Sequence, residues 1–369
     1  MLSFNLCFWA AYIVRAECVR ERGCSRVGRW IVRSLVALGA SVAPSLAAWA
    51  DTYLLPTDGS SVVGEVRKLR ARAEDTFPDI ARRYNVGFND LVLANPDVDP
   101  WVPKEGTEVV VPTFFVLPAA PRDGLILNLP EMRLYHFPKP KRGEPAVVVT
   151  YPASIGRMEW KTPLGKTNIV KKQANPAWYP PQSVRDEHAA DGDTLPAVIP
   201  PGPDNPLGAF ALRLGIPGYL IHGTNRPYGV GMRVTHGCVR LYPEDIRSLF
   251  GKVDVGTPVY LVNQPFKAGW RDGVLYFEVH PPLDEDMEEL NTNRTPAVKA
   301  VVEASTEGQL GTVDWRKLHD LVKTASGIPI PVMLAASATG GPSNHPVTPP
   351  AEAMQTDAQS QAATEQVNP

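Results

Sequence analysis

Two histidines and one cysteine lie in a single glycine-bearing stretch, IHGTNRPYGVGMRVTHGCVRLYPEDI, from Ile221 to Ile246. A free thiol has a pKa of about 8.5 and is mostly protonated at neutral pH. An imidazole at hydrogen-bonding range can take that proton and make the sulfur a nucleophile. Cys238 is the candidate nucleophile; His222 and His236 are the candidate bases. His236 is two residues away, where side chains of an extended segment share a face without their rings having to converge. His222 ends the apolar run GYLIHG, which reads as a strand, and the loop after it is long and glycine-bearing enough to fold back. A base on a strand is held more firmly than one on the nucleophile's own turn. His222 is therefore assigned as general base, and His236 to the local turn.

Gly237 permits a tight turn immediately before the thiol. Successive N–H groups on such a turn can point at one spot and hold the oxyanion of an acyl-transfer intermediate. Downstream, YPEDIRSLF reads as a helix, with Pro243 in its first turn and Ile246, Leu249 and Phe250 on one face. Two other readings of the cysteine stand beside this one. It can be a small buried residue, or one of three zinc ligands with His222 and His236, although no second cysteine or C-x-x-C lies nearby.

The elements that must position these groups read as mainly β. GLILNL and RLYHF flank Pro130-Glu131 as a hairpin, PAVVVTYPASIG is a further apolar strand, and GTPVYLV closes the region near Val262. A long Pro/Gly-rich loop follows Asn175 and carries Trp178 and Tyr179. Ahead of this region, EDTFPDIARRYNV reads as a helix capped by Asp75 or Thr76, with Pro78 in its first turn. GFNDLVLANP gives a second helix with Asn89 as its cap, stopped at Asn95-Pro96. GEVRKLRARA and GTEVVVP are candidate partner strands. Residues 264–334 read as a small C-terminal subdomain with an amphipathic helix at DWRKLHDLVKTAS. Residues 335–369 lack the apolar content to fold and read as a disordered tail.

Composition bounds the partners. Lys+Arg is 37 against 39 Asp+Glu, so no basic excess is available for phosphate contacts and nucleic acid is excluded as a partner. Three of the four cysteines, Cys7, Cys18 and Cys24, precede an arginine-flanked apolar stretch that ends in Ala48-Trp49-Ala50. That pattern describes a signal peptide over residues 1–50, cleaved after Ala50; the alternative is an uncleaved inner-membrane anchor. A start downstream of residue 25, for instance at Val27, would leave residues 1–25 untranslated. Either way the exported chain keeps only Cys238, which cannot form an internal disulfide.

The stretch IHGTNRPYGVGMRVTHGCVRLYPEDI resembles the signature of the L,D-transpeptidases with a YkuD-like catalytic domain. The likeness extends to TPLGKTNIVKKQANPAWYPP, GPDNPLGAFALRLG and VGTPVYLVNQP, and covers residues 122–263. Residues 63–113 resemble a LysM domain, with Glu74-Asp75-Thr76-Phe77 where that family usually opens on Gly-Asp-Thr-Leu. The resemblance implies a β-sandwich preceded by a βααβ module, in a periplasmic protein that needs no cofactor or metal. Cys238 would attack the diaminopimelate carbonyl of a tetrapeptide stem, expel D-Ala and form a thioester, which an amine then resolves. His222 would move the protons, with the Gly223 carbonyl orienting its ring, and the N–H groups of His236, Gly237 and Cys238 would hold the oxyanion. Arg240 is a candidate for a substrate carboxylate; Trp178 and Tyr228 are candidate cleft walls. Peptidoglycan glycan and stems would be the partners, and carbapenem β-lactams the inhibitors. The acceptor stays open: a second stem giving a 3-3 crosslink, a lysine of an outer-membrane lipoprotein, or water. A wall-binding protein with an inactive catalytic fold is the reading from another class.

N-terminal sequencing of the exported protein is expected to begin at Asp51. A peptide from residues 1–20 recovered from cells would overturn the downstream start.

Overall fold

The computed structural model describes residues 51–334. The signal read over residues 1–50 and the tail from 335 lie outside the described residues. The chain opens with β1 (Asp51–Leu54) and β2 (Val62–Gly64), then runs through β3 (Arg67–Arg70), α1 (Phe77–Arg83), α2 (Phe88–Ala94), β4 (Glu108–Val111) and β5 (Phe114–Val116). The central region holds β6 (Gly124–Asn128), β7 (Arg133–Phe137), β8 (Val147–Pro152), β9 (Ile155–Gly156), β10 (Gly165–Ala174), α3 (Gln182–Ala190), β11 (Phe210–Leu214), β12 (Leu220–His222), β13 (Arg233–Thr235), β14 (Val239–Arg240), α4 (Pro243–Lys252) and β15 (Pro258–Val262). The C-terminal part adds β16 (Phe266–Arg271), β17 (Val274–Val279), α5 (Met287–Thr292), α6 (Thr295–Ala304), α7 (Glu307–Leu310), α8 (Trp315–Thr324) and β18 (Ile330–Pro331). No helix among the described residues is long and apolar enough to cross a membrane.

One mixed sheet, ordered β1-β8-β7-β6-β15-β10-β11-β12-β14, carries the site at its β12–β14 end. Its alternation explains its shape. Leu125, Leu127, Leu134, Val149, Val259 and Leu261 point into one core, where they meet Ile169, Leu212, Ile221 and Val239 from the far half of the sheet. The two halves thus face each other across a shared interior, as in a β-sandwich. The residues between them, Ile126, Tyr135, Phe137 and Val148, pack on the other side against Val63, Phe115 and Leu117. Burial on both faces is why β6 and β7 are buried throughout. Helix α4 seals the main core with Ile246 and Leu249, each worth about 1.5–3 kcal/mol of burial.

The βααβ run β3-α1-α2-β4 has its own small core around Phe77, Ile80, Leu91 and Val109, with β3 and β4 antiparallel. Thr76 caps α1 by accepting from the Asp79 N–H, and the Asp79 carboxylate reaches back to the Thr76 N–H. Helix α2 departs from expectation: its cap is Gly87, and Asn89 lies inside the helix. The Asp90 carboxylate accepts the Gly87 N–H at 2.8 Å, so the first turn is closed by a side chain reaching backwards. The same carboxylate takes Arg133 Nη2 of β7 at 2.7 Å, and both side chains are buried. The C-terminal part holds four helices on β16–β17–β18, around Phe277, Val301 and Leu318.

A second buried network joins that part to the sheet. Lys267 Nζ lies 2.7 Å from Glu131 and 2.8 Å from Glu278, and Glu278 accepts from His280 at 2.6 Å and from the Val116 N–H at 2.6 Å. Removing one member of a buried pair leaves the other charge desolvated and unpaired. Asp90→Ala is therefore expected to cost about 3–5 kcal/mol, read as a lower urea midpoint. Lys68→Ala, which breaks the exposed pair with Glu108, should leave the midpoint where it is. Equal shifts in the two variants would overturn this account.

Candidate active site

Strand β12 is paired on both sides. It runs antiparallel to β11, with Ala211 opposite His222, and parallel to β14, with Ile221 opposite Val239 and His222 opposite Arg240. Ile221 and Val239 point into the main core and are fully buried. Neighbours in a strand alternate faces, so His222, Arg240 and Cys238 share the opposite face. His222 and Cys238 are diagonal neighbours across the β12–β14 pair, but among the described residues no hydrogen bond joins their side chains.

The turn before the thiol follows from local chemistry. Gly237 has φ +97°, and a Cβ there would come within 2.8 Å of the Tyr219 ring. The Gly237 carbonyl accepts from Thr162 Oγ1 at 2.9 Å and the Cys238 carbonyl from Thr235 Oγ1 at 2.6 Å. In a trans peptide the next N–H points opposite its carbonyl, so these two threonines aim the N–H groups of Cys238 and Val239. Among the described residues, the N–H groups of His236, Gly237 and Cys238 donate to no backbone carbonyl in the turns and loops. The Cys238 thiol donates to the Gly218 carbonyl at 3.6 Å. Burial pushes its pKa up, while a backbone hydrogen bond at Leu220 and the nearby Arg240 charge pull the other way. The resting sulfur is a thiol that needs a base.

The two imidazoles have different surroundings. His222 Nδ1 lies 2.6 Å from the Gly223 carbonyl. A carbonyl only accepts, so Nδ1 carries the hydrogen and Nε2 keeps its lone pair. Burial, then the Arg240 charge, lowers the His222 pKa to about 3, against the carbonyls of Gly223 and Leu207. His222 is thus neutral and able to accept a proton. His236 is engaged elsewhere: its Nε2 lies 2.9 Å from Glu187 Oε2 of α3 and 3.3 Å from Arg157 Nη2, with the Trp160 ring edge-on at 5.3 Å. Arg157 holds the other Glu187 oxygen at 2.5 Å.

The amino-acid sequence carries independent support for this chemistry. Residues 122–261 match the family model of the YkuD L,D-transpeptidase catalytic domain. The chain is 39% identical over 319 residues to an Escherichia coli K12 protein named probable L,D-transpeptidase YcfS, covering 84% of this chain and 96% of that one. The chain belongs to the L,D-transpeptidase family. It is also 39% identical to E. coli K12 YbiS over 76% of this chain and 92% of that one. To the Salmonella typhimurium ErfK/SrfK protein it is 36% identical, over 76% and 91%. All three names carry the same probable L,D-transpeptidase description.

In this L,D-transpeptidase, Arg240 forms no ion pair among the described residues, and its Nε is buried without a hydrogen-bond partner. Trp178 sits half-buried on a two-way backbone bridge with Ile199. Tyr228 lies on the short helical turn Pro227–Gly229 with 66% of its surface exposed. The loop that carries Trp178 was expected to be irregular but contains α3, anchored to the nucleophile's turn through Glu187. Gly218, Tyr219, Thr162, Arg157 and Glu187 are the site residues the sequence did not single out, although all five lie within the stretch that resembled the family. His222, His236 and Cys238 do not gather their donor atoms into one metal-ligand group. Among the described residues such a group is formed by Glu131, Glu278 and His280, and Lys267 supplies its positive charge.

Burial also lowers the His136 pKa to about 4, with Lys252 as the second cause. In the unfolded chain both His136 and His222 take up a proton near pH 6.5, while the folded chain does so only near pH 4 and 3. The stability they contribute is present above about pH 6.5 and is lost as pH falls, by up to about 1.4 kcal/mol per unit for each histidine. Urea midpoints are expected to drop between pH 7 and pH 5, and His136→Gln should flatten that slope. A midpoint that rises on acidification would contradict the assignment.

Proposed function

We propose that this chain is an exported peptidoglycan L,D-transpeptidase with Cys238 as nucleophile and His222 as general base. The observation that carries the proposal is the β12–β14 register, which sets the two side chains on one face while His236 is held by Glu187. Rotation about the Cα–Cβ bond of Cys238 swings the sulfur from Gly218 toward β12. His222 Nε2 then takes the S–H proton as the sulfur attacks the diaminopimelate carbonyl of a tetrapeptide stem. The N–H groups of His236, Gly237 and Cys238 stabilise the oxyanion. On collapse the C–N bond to D-Ala breaks, and His222 returns the proton to the leaving amine. An acceptor amine attacks the resulting thioester, gives its proton to His222, and the thiol reforms.

Arg240 binds a substrate carboxylate beside the reacting carbonyl. An unpaired guanidinium, partly buried, gains most from such a partner because its desolvation is already in place. The residue 63–113 module is read as LysM, holding the glycan, and the periplasm as the site of action. A stem amine or a lipoprotein lysine is the acceptor; water would make the protein a carboxypeptidase or endopeptidase.

Disaccharide-tetrapeptide incubated with the protein, with and without a lysine-terminated lipoprotein peptide, is expected to yield free D-Ala and an amide product that names the acceptor. A carbapenem should leave a mass adduct on the intact chain. Both signals are expected to vanish in Cys238→Ala. Unchanged products in that variant would sink the assignment, and tripeptide alone would point to water.

A further inference from the structure

The small N-terminal module touches the loop that leads from His222 to Cys238. The Phe88 and Asn89 N–H groups, at the start of α2, donate to the carbonyls of Val230 and Gly231 at 3.2 and 3.3 Å. Around this contact, Arg82 pairs with Glu244 through two hydrogen bonds of 2.8 and 3.0 Å. Tyr242 donates to the Val86 carbonyl at 3.3 Å, and Asn85 to the Thr150 carbonyl at 3.2 Å. The buried Asp90–Arg133 pair lies beneath.

The joint is built for backbone-to-backbone approach. Gly87 has an ordinary extended backbone, φ −79° and ψ 156°, that any residue adopts. What calls for glycine there is the space: a Cβ would stand 3.0 Å from the Gly231 Cα. Gly231 has φ +84°, and a Cβ on it would collide with the Gly87 Cα and the Phe88 nitrogen. Two glycines from separate cores face each other so that two N–H groups can reach two carbonyls.

Those carbonyls lie seven and eight residues before the nucleophile on a short, tied path. Met232 O accepts from the Ile155 N–H at 3.4 Å, β13 pairs with β9, and Thr235 Oγ1 then holds the Cys238 carbonyl. On the other side, Ser154 Oγ donates to the Gly229 carbonyl at 2.7 Å.

We infer that the residue 63–113 module is a positioning element of the active site, in which Gly87, opposed by Gly231, sets the turn that carries Cys238. The inference rests on the proposed transpeptidase reading for its turnover test. It adds that the module acts on catalysis even when the substrate carries no glycan.

The test uses the full exported chain, a free tetrapeptide donor and a small amine acceptor in Gly87→Ala, Gly87→Leu and Arg82→Glu. Hydrogen exchange at the Phe88 and Asn89 amides reports whether the module is docked. Turnover is expected to fall with the loss of protection, about tenfold in kcat for Gly87→Leu, with the donor KM within twofold. Iodoacetamide alkylation of Cys238 is expected to move the other way, several-fold faster, because a loosened turn exposes a thiol whose pKa burial had raised. Turnover and alkylation that do not track amide protection across the series would overturn the inference. So would a defect confined to glycan-bearing donors, which would make the module a glycan anchor only. Wild-type chain that releases no D-Ala would instead defeat the transpeptidase reading, and the alkylation series would still decide the positioning claim.

Discussion

The site depends on one parallel pairing, β12 with β14. Parallel strands cannot be joined by a tight hairpin, so the chain must leave β12 at His222, travel around, and return alongside it at Val239. That detour is the segment Gly223–Cys238, which carries His236 and ends at the thiol. The pairing is anchored by Ile221 and Val239, both immersed in the main core. Slipping the register by one residue would send Cys238 inward and a valine outward. The hydrophobic core thus fixes which residues of β12 and β14 share a face.

Around that pairing, polar groups are placed where burial makes them decisive. His222 is neutral because it is buried beside a cation, and Cys238 is a thiol because burial disfavours its charge. Both groups therefore rest neutral, and moving the proton from thiol to imidazole creates a thiolate–imidazolium pair. Arg240 keeps its guanidinium unpaired on the same face. The partner proposed for it is a carboxylate of the substrate.

Charged groups elsewhere serve alignment. Asp90–Arg133 ties the N-terminal module to β7, and Lys267 with Glu131 and Glu278 ties the C-terminal part to the sheet. Buried ion pairs add little net stability over apolar packing but are costly to break singly. They therefore favour one relative placement of the three parts over any other.

Much of this was legible in the linear sequence. The Thr-His-Gly-Cys run, the apolar strand ending at His222, the cap at Thr76 and the hairpin around Pro130-Glu131 are local patterns, governed by interactions within a few residues. The place of His222 at a strand end was legible too, in the apolar run GYLIHG. The cap of α2 was not legible, because Gly87 is glycine for the sake of Gly231, 144 positions further on. Helix α3 was missed because its sequence is polar and lies among prolines, while its anchor is Glu187 reaching His236 and Arg157. The residue types that can do chemistry, and the strands that bear them, are set by short-range propensity and periodicity. Which of them face one another is set by pairings between distant segments, and those only the packed core selects.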